Sequence, residues 1–97
     1  MVIEWGHIGR IWNRPVFVAY VRVDRFTREQ LDKNPEFTVN LPLGDIDRKA
    51  FMICGTKSGR DMDKIGEAGL NPVDPEVISV PGLQDFPLTL ECRVEAR

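Results

Sequence analysis

Ninety-seven residues, 42% hydrophobic and 29% charged, suffice for one small domain with a limited core, in a composition usual for soluble globular proteins. The formal net charge of −2 provides no overall field to hold DNA, RNA or an anionic membrane surface. No apolar run approaches the ~18 residues of a membrane span, so nucleic acid and membrane are both set aside as partners.

The N-terminus carries no basic end followed by an apolar run, because Glu4, His7 and Arg10 interrupt it. Cys54 and Cys92 have neither CxxC nor any other metal spacing, and they read as reduced, largely buried thiols of a cytoplasmic chain.

Residues 5–13 are rich in glycine and punctuated by polar side chains, which predicts a loop or a bulged strand. Residues 15–22, β-branched and aromatic and apolar on both faces, predict a buried strand opened by Pro15. Thr27-Arg28-Glu29-Gln30 has the form of a capping box and opens a short helix that Asn34-Pro35 ends. Residues 37–41 alternate as a strand with one polar face, and Pro42-Leu43-Gly44-Asp45 is a turn. A second helix is predicted over residues 46–55, with Ile46, Ala50, Ile53 and Cys54 on one stripe.

Ser58-Gly59-Arg60-Asp61 resembles another capping box, opening a third helix with Met62, Ile65 and Ala68 inward and Gly69 at its end. Residues 71–75 form a proline-broken loop, and residues 77–80 a short strand. The last strand is the clearest. Phe86, Leu88, Leu90, Cys92 and Val94 face one side, and Thr89, Glu91, Arg93 and Glu95 the other. The fold class is therefore mainly β with short helices, a small barrel fits it best, and at least one strand edge needs a partner.

Two clusters carry the chemistry. Arg22, Arg25 and Arg28 surround Thr27 where an extended segment becomes a helix. About thirty residues later, Gly55-Thr56-Lys57-Ser58-Gly59-Arg60-Asp61 repeats the arrangement of cations and hydroxyls at a helix entrance. Helix N-termini attract phosphate, arginine matches it with a two-pronged fork, and flanking glycines let backbone approach a ligand. The competing reading is that Thr27 only caps, and that the charges are solvated or paired with acidic neighbours. The second cluster lacks the GxxxxGK[ST] spacing of a Walker loop. His7, the only histidine, makes no metal site alone and reads as a surface or structural residue rather than a proton donor beside a bound ring; Trp5 and Trp12 read as packing residues. No triad or carboxylate pair marks a catalytic residue, so any catalysis belongs to a cofactor.

Several segments in order resemble the flavin reductase-like proteins, in the flavoredoxin branch of the FMN-binding split barrels. They are Ile3-Glu4-Trp5-Gly6, then Ile8-Gly9-Arg10-Ile11-Trp12-Asn13-Arg14-Pro15-Val16-Phe17, Tyr20-Val21-Arg22 and Arg25-Phe26-Thr27. Asn34-Pro35-Glu36-Phe37-Thr38-Val39, the run from Cys54 to Asp61 with Asp63-Lys64, and Leu90-Glu91-Cys92 complete the match.

The resemblance implies a Greek-key split β-barrel that forms a homodimer and holds FMN near the subunit interface. Electrons would pass from reduced nicotinamide, or from a redox partner protein, through the flavin. By position, Trp5 and Gly6 would lie along the flavin. Arg22, Arg25 and Thr27 would meet its phosphate end, with Lys57, Ser58 and Lys64 as further contacts. Against the family pattern the chain looks shortened at both ends, and it carries Val23 and Asp24 between the arginines. An aspartate there opposes an anion unless Arg22 or Arg25 neutralises it. Two alternatives stand beside this reading: a non-catalytic dimeric split-barrel module with weak or no flavin binding, and a protein that binds or stores FMN or pyridoxal phosphate.

Overall fold

A two-residue turn organises the N-terminal part of the chain. In the computed structural model, which describes residues 1–3, 5–45 and 47–95, strands β1 (Gly6–Ile11) and β2 (Arg14–Ala19) pair antiparallel around Trp12 and Asn13. Both turn residues have positive φ, 51° and 62°, the geometry that matches the right-handed twist of a tight hairpin. Asparagine tolerates that region, and Arg10 Nη2 fixes Asn13 by donating to its Oδ1 at 2.9 Å. Residues 5–13 are thus half of a regular hairpin, not a loop or bulged strand. Their glycines and polar residues are tolerated because every residue of β1 is exposed.

β2 also departs from expectation. It is not a buried strand: Val16, Phe17 and Ala19 are half-buried, but Val18 and the following Tyr20 are exposed. Among the described residues β1 and β2 pair as strands only with each other, so the hairpin is not an inner part of a larger sheet.

Helix α1 (Phe26–Lys33) starts ahead of the expected position. Its N-cap is Arg25, in extended conformation and without a side-chain cap bond, and Arg28 N–H already donates to the Arg25 carbonyl at 3.0 Å. Thr27 is therefore inside the first turn and caps nothing. The helix ends at Asn34, before Pro35, as predicted.

Strands β3 (Glu36–Leu41) and β6 (Leu88–Arg93) pair antiparallel in a register that sets like faces opposite each other. Phe37 faces Cys92, Val39 faces Leu90 and Leu41 faces Leu88 on the apolar side. On the other side Arg93 Nε meets Glu36 Oε2 at 3.0 Å, and Thr89 Oγ1 donates to Asn40 Oδ1 at 2.8 Å. A slip of one residue would exchange these faces.

Helix α2 (Arg48–Thr56) begins at Asp47, whose carboxylate accepts from Lys49 N–H at 2.9 Å and Ala50 N–H at 3.4 Å. Ala50 is buried and Ile53 and Cys54 half-buried, as the stripe requires; Ile46 lies outside the described residues. Helix α3 is only Lys64–Glu67, capped by Asp63, and does not open at Ser58. Ser58 instead closes a turn, its Oγ accepting from Arg60 N–H at 3.1 Å and its carbonyl from Asp61 N–H at 3.0 Å. Ala68 is buried and Met62 half-buried, but Ile65 is exposed. Gly69, at φ 69°, turns the chain away as expected.

Two short strands, β4 (Pro72–Val73) and β5 (Gly82–Leu83), pair with each other. The strand expected over residues 77–80 does not form, because its amides are engaged by carboxylates. Glu76, Val77 and Ile78 donate to Glu91 at 2.9–3.1 Å, and Ser79 donates to Glu36 through both N–H and hydroxyl. These bonds to the charged form hold both carboxyls below their ordinary range: Glu91 through the three amides, Glu36 first through Ser79 and then through Arg93. Asp85 is lowered likewise by the backbone and side-chain N–H groups of Asn71.

The described strands form three two-stranded sheets and no closed barrel. The fold is mainly β with short helices, and among the described residues the buried apolar side chains are those of Val39, Ala50, Ala68 and Ile78. No helix is long and apolar enough to cross a membrane, and no group of metal-ligating side chains gathers among the described residues.

Candidate functional site

The two cationic clusters, far apart in sequence, line one cleft of about 590 Å³. The start of α1 supplies Asp24, Arg25, Phe26 and Thr27, and the end of α2 with the following turn supplies Lys57, Ser58 and Arg60. Lys64, at the start of α3, and Met1 complete the wall.

Which charges are free is decided by pairing. Arg22 Nε lies 3.6 Å from Asp24 Oδ1, Arg28 pairs with Asp32 at 3.2 Å one turn along α1, and Arg60 Nη2 meets Glu29 Oε2 at 2.7 Å. Lys64 Nζ donates to the Cys54 carbonyl at 2.9 Å, which places its charge at the negative C-terminal end of α2. Among the described residues, the side chains of Arg25 and Lys57 have no ion pair or hydrogen bond. The Thr27 hydroxyl is equally unengaged there, and the first turn of α1 has no side-chain cap. Burial, then the neighbouring Lys64 ammonium, push the Met1 α-amino group below its ordinary pKa, with Cys54 opposing. The cleft thus gathers four cationic side chains against the carboxylates of Asp24 and Asp63, and among the described residues it leaves Arg25 and Lys57 without an ion pair.

Of the residues singled out from sequence, Arg25, Thr27, Lys57, Ser58 and Lys64 meet in this cleft. Trp5, Gly6 and Arg22 are not part of its lining. Trp5 is 68% exposed just before β1, so it is not a core packing residue in this chain, and neither is Trp12 at 92%. Gly6 lies on β1, where an added Cβ would stand 3.1 Å from the Val18 carbonyl oxygen and 3.2 Å from the Phe17 ring. Arg22 is turned to Asp24, the neutralisation that an aspartate beside an anion site requires. His7 stacks edge-to-face on Tyr20, with ring centroids 5.6 Å apart, in keeping with a structural role.

Sequence reasoning missed Phe26 and the pairing of Arg60. The ring of Phe26 packs against Gly59, where a Cβ would stand 2.7 Å from its Cδ2, and Arg60 lies over the same ring at 5.6 Å from its centroid. The juxtaposition of Gly59 and Phe26 has no local signature, since it joins elements more than thirty residues apart.

A family model decides the relationship: the flavin reductase like domain matches residues 12–97. The chain belongs to the flavin reductase-like family. Among solved structures it is similar to flavoredoxin of Desulfovibrio vulgaris (Miyazaki F), with a TM-score of 0.89 at 24% identity over 99% of this chain. It is also similar to nitrilotriacetate monooxygenase component B from Bacillus cereus, with a TM-score of 0.68 at 22% identity over 97% of this chain. The chain spans about half the length of each, 51% and 48% respectively. No curated protein matches it.

Proposed function

We propose that the cleft holds the phosphate of flavin mononucleotide, and that the chain serves an FMN-dependent oxidoreductase of the flavin reductase type. The observation that carries this is the convergence of Arg25 and Thr27 with Lys57, Ser58 and Lys64 in one cleft. The donor set suits a phosphate monoester: an arginine fork, an ammonium, hydroxyls and an uncapped helix N-terminus, two of whose cations have no protein partner among the described residues. Its volume is within the usual range of ligand sites, ~300–1,000 Å³. When bound, the flavin would supply acceptance and onward transfer of hydride or electrons. The residues of the chain hold and orient its phosphate.

Reduced nicotinamide, or a redox partner protein, is the electron donor in this reading. Trp5 and Gly6 lie along the flavin, Arg22 offsets the charge of Asp24 by pairing with it, and the sheets complete a dimeric split barrel. The family relationship supports these assignments. The test is a titration of FMN and riboflavin followed by visible absorption and flavin fluorescence. FMN is expected to bind more tightly, and Arg25→Ala to lose about ten- to a hundredfold in FMN affinity, the worth of one charged hydrogen-bonded contact of ~1.5–3 kcal/mol. Thr27→Ala loses less. Equal affinity for FMN and riboflavin in the unsubstituted protein would reject the phosphate site.

One observation favours a second reading, a non-catalytic dimeric module. The hairpin exposes Ile11 and Val18 on one face and Ile8 on the other, with Trp12 exposed in the turn between the strands, apolar surface that a second copy could cover. A stable dimer that oxidises no reduced nicotinamide with FMN present would support this module; turnover would exclude it.

A further inference from the structure

One side chain ties the two walls of the cleft together. Arg60 belongs to the second cluster, yet its partners all lie in the first: Glu29 Oε2 at 2.7 Å, the Asp24 carbonyl oxygen at 3.4 Å, and the Phe26 ring at 5.6 Å from its centroid. Among the described residues no other ion pair or side-chain hydrogen bond joins residues 22–30 to residues 55–61. Phe26 also receives the backbone of Gly59, so Arg60 and Gly59 grip the same ring from the same turn.

We infer that Arg60 is a positioning residue: through Glu29 and Phe26 it sets the gap between Arg25 and Thr27 on one wall and Lys57 and Ser58 on the other, and thereby the affinity of the cleft for a phosphate monoester. The inference rests on the FMN-phosphate reading above. Its rationale is geometric. Among the described residues the turn that carries Lys57 and Ser58 is tied to α1 by no other ion pair or side-chain hydrogen bond, and Arg60 already commits Nη2 to the Glu29 carboxylate and Nη1 to the Asp24 carbonyl. The planar guanidinium suits the task, since it can meet a carboxylate and a carbonyl while lying over a ring.

A direct role for Arg60 as a phosphate ligand predicts the opposite response to one substitution, so the two are separable. Glu29→Gln removes the charge partner and leaves Arg60 in place. FMN and riboflavin are titrated into the unsubstituted protein, Glu29→Gln, Arg60→Lys and Thr27→Ala, with flavin fluorescence giving each Kd and far-UV circular dichroism confirming the fold. If Arg60 positions, Glu29→Gln weakens FMN roughly two- to fivefold, the scale of an exposed ion pair, and leaves riboflavin unchanged. Arg60→Lys, which keeps the charge but loses the fork, does the same. FMN binding that is unchanged or tighter in Glu29→Gln overturns the inference. If Thr27→Ala still loses FMN in that case, the phosphate site stands and only the role of Arg60 is wrong. If the unsubstituted protein does not distinguish FMN from riboflavin, the site and the inference fall together.

Discussion

Gly59→Ala tests the contact on which the shape of the cleft depends. The new methyl carbon would stand 2.7 Å from Phe26 Cδ2 and 3.2 Å from Cε2. Carbon atoms rest about 3.5–4.0 Å apart, so the ring or the turn must yield by most of an ångström. The ring has little freedom, because Cδ2 is close to the α1 backbone and Arg60 lies over the ring. Overpacking in a core costs about 1–3 kcal/mol, and the half-buried position of both residues points to the lower half of that range. In a domain of this size each kcal/mol moves Tm by about 4–8 °C, so a fall of roughly 5–15 °C is expected by circular dichroism. Phe26→Leu removes the ring atoms that the methyl meets. The double substitution should therefore be less destabilised than the sum of the two single ones. A Gly59→Ala protein that melts with the unsubstituted chain, or strict additivity with Phe26→Leu, would show that the contact is not held in solution.

Asp47→Ala removes the acceptor of two first-turn amides of α2 and should cost about 0.5–2 kcal/mol by urea unfolding, with Asp47→Asn retaining most of the stability. Glu91 and Glu36 have folded pKa values below their unfolded ones. Their contribution is complete above the ordinary carboxylate range and is lost as pH falls through that range to the depressed values. Hydrogen exchange at Val77 and Ile78 should therefore accelerate in acid beyond its intrinsic pH trend, and Glu91→Gln should flatten that response; an identical acid profile would contradict it. Burial pushes the Cys92 thiol up, so in the folded protein it should alkylate more slowly at pH 8 than in urea, as read by mass spectrometry.

Alternation made β3 and β6 legible as strands, because each carries a complete apolar face and a complete polar face; that they pair with each other, nearly fifty residues apart, has no local signal. Helix starts were less legible. Thr27 and Ser58 have the right side chains for caps, but capping depends on where the backbone turns helical, and that occurs at Arg25 and Asp63. The N-terminal hairpin was hidden because Trp12-Asn13 lacks the glycine that usually marks such a turn. Residues 77–80 have the β-branched composition of a strand, yet distant carboxylates on β3 and β6 take the amides that a ladder would need. The cleft was legible as two clusters of charge. Which of its cations are free was not, since that depends on Glu29 reaching Arg60 across the fold.

The placement of the acidic residues explains how a chain of net charge −2 presents a cationic cleft. Glu36, Asp85 and Glu91 are directed at backbone amides around residues 71–79, on the β3–β6 side, where they fix a loop that would otherwise lack partners. Asp24, Glu29 and Asp32, near α1, are each matched to an arginine. These pairs are exposed, so each adds little stability; their effect is to assign partners. Arg22, Arg28 and Arg60 are occupied, and Arg25 and Lys57 remain. An anion entering the cleft therefore meets charge that no protein carboxylate must first release, and avoiding that exchange favours binding. The same logic makes Asp24 sensitive. With Arg22→Ala its carboxylate would stand unpaired at the cleft wall, and phosphate affinity should fall although Arg22 itself is not part of the lining.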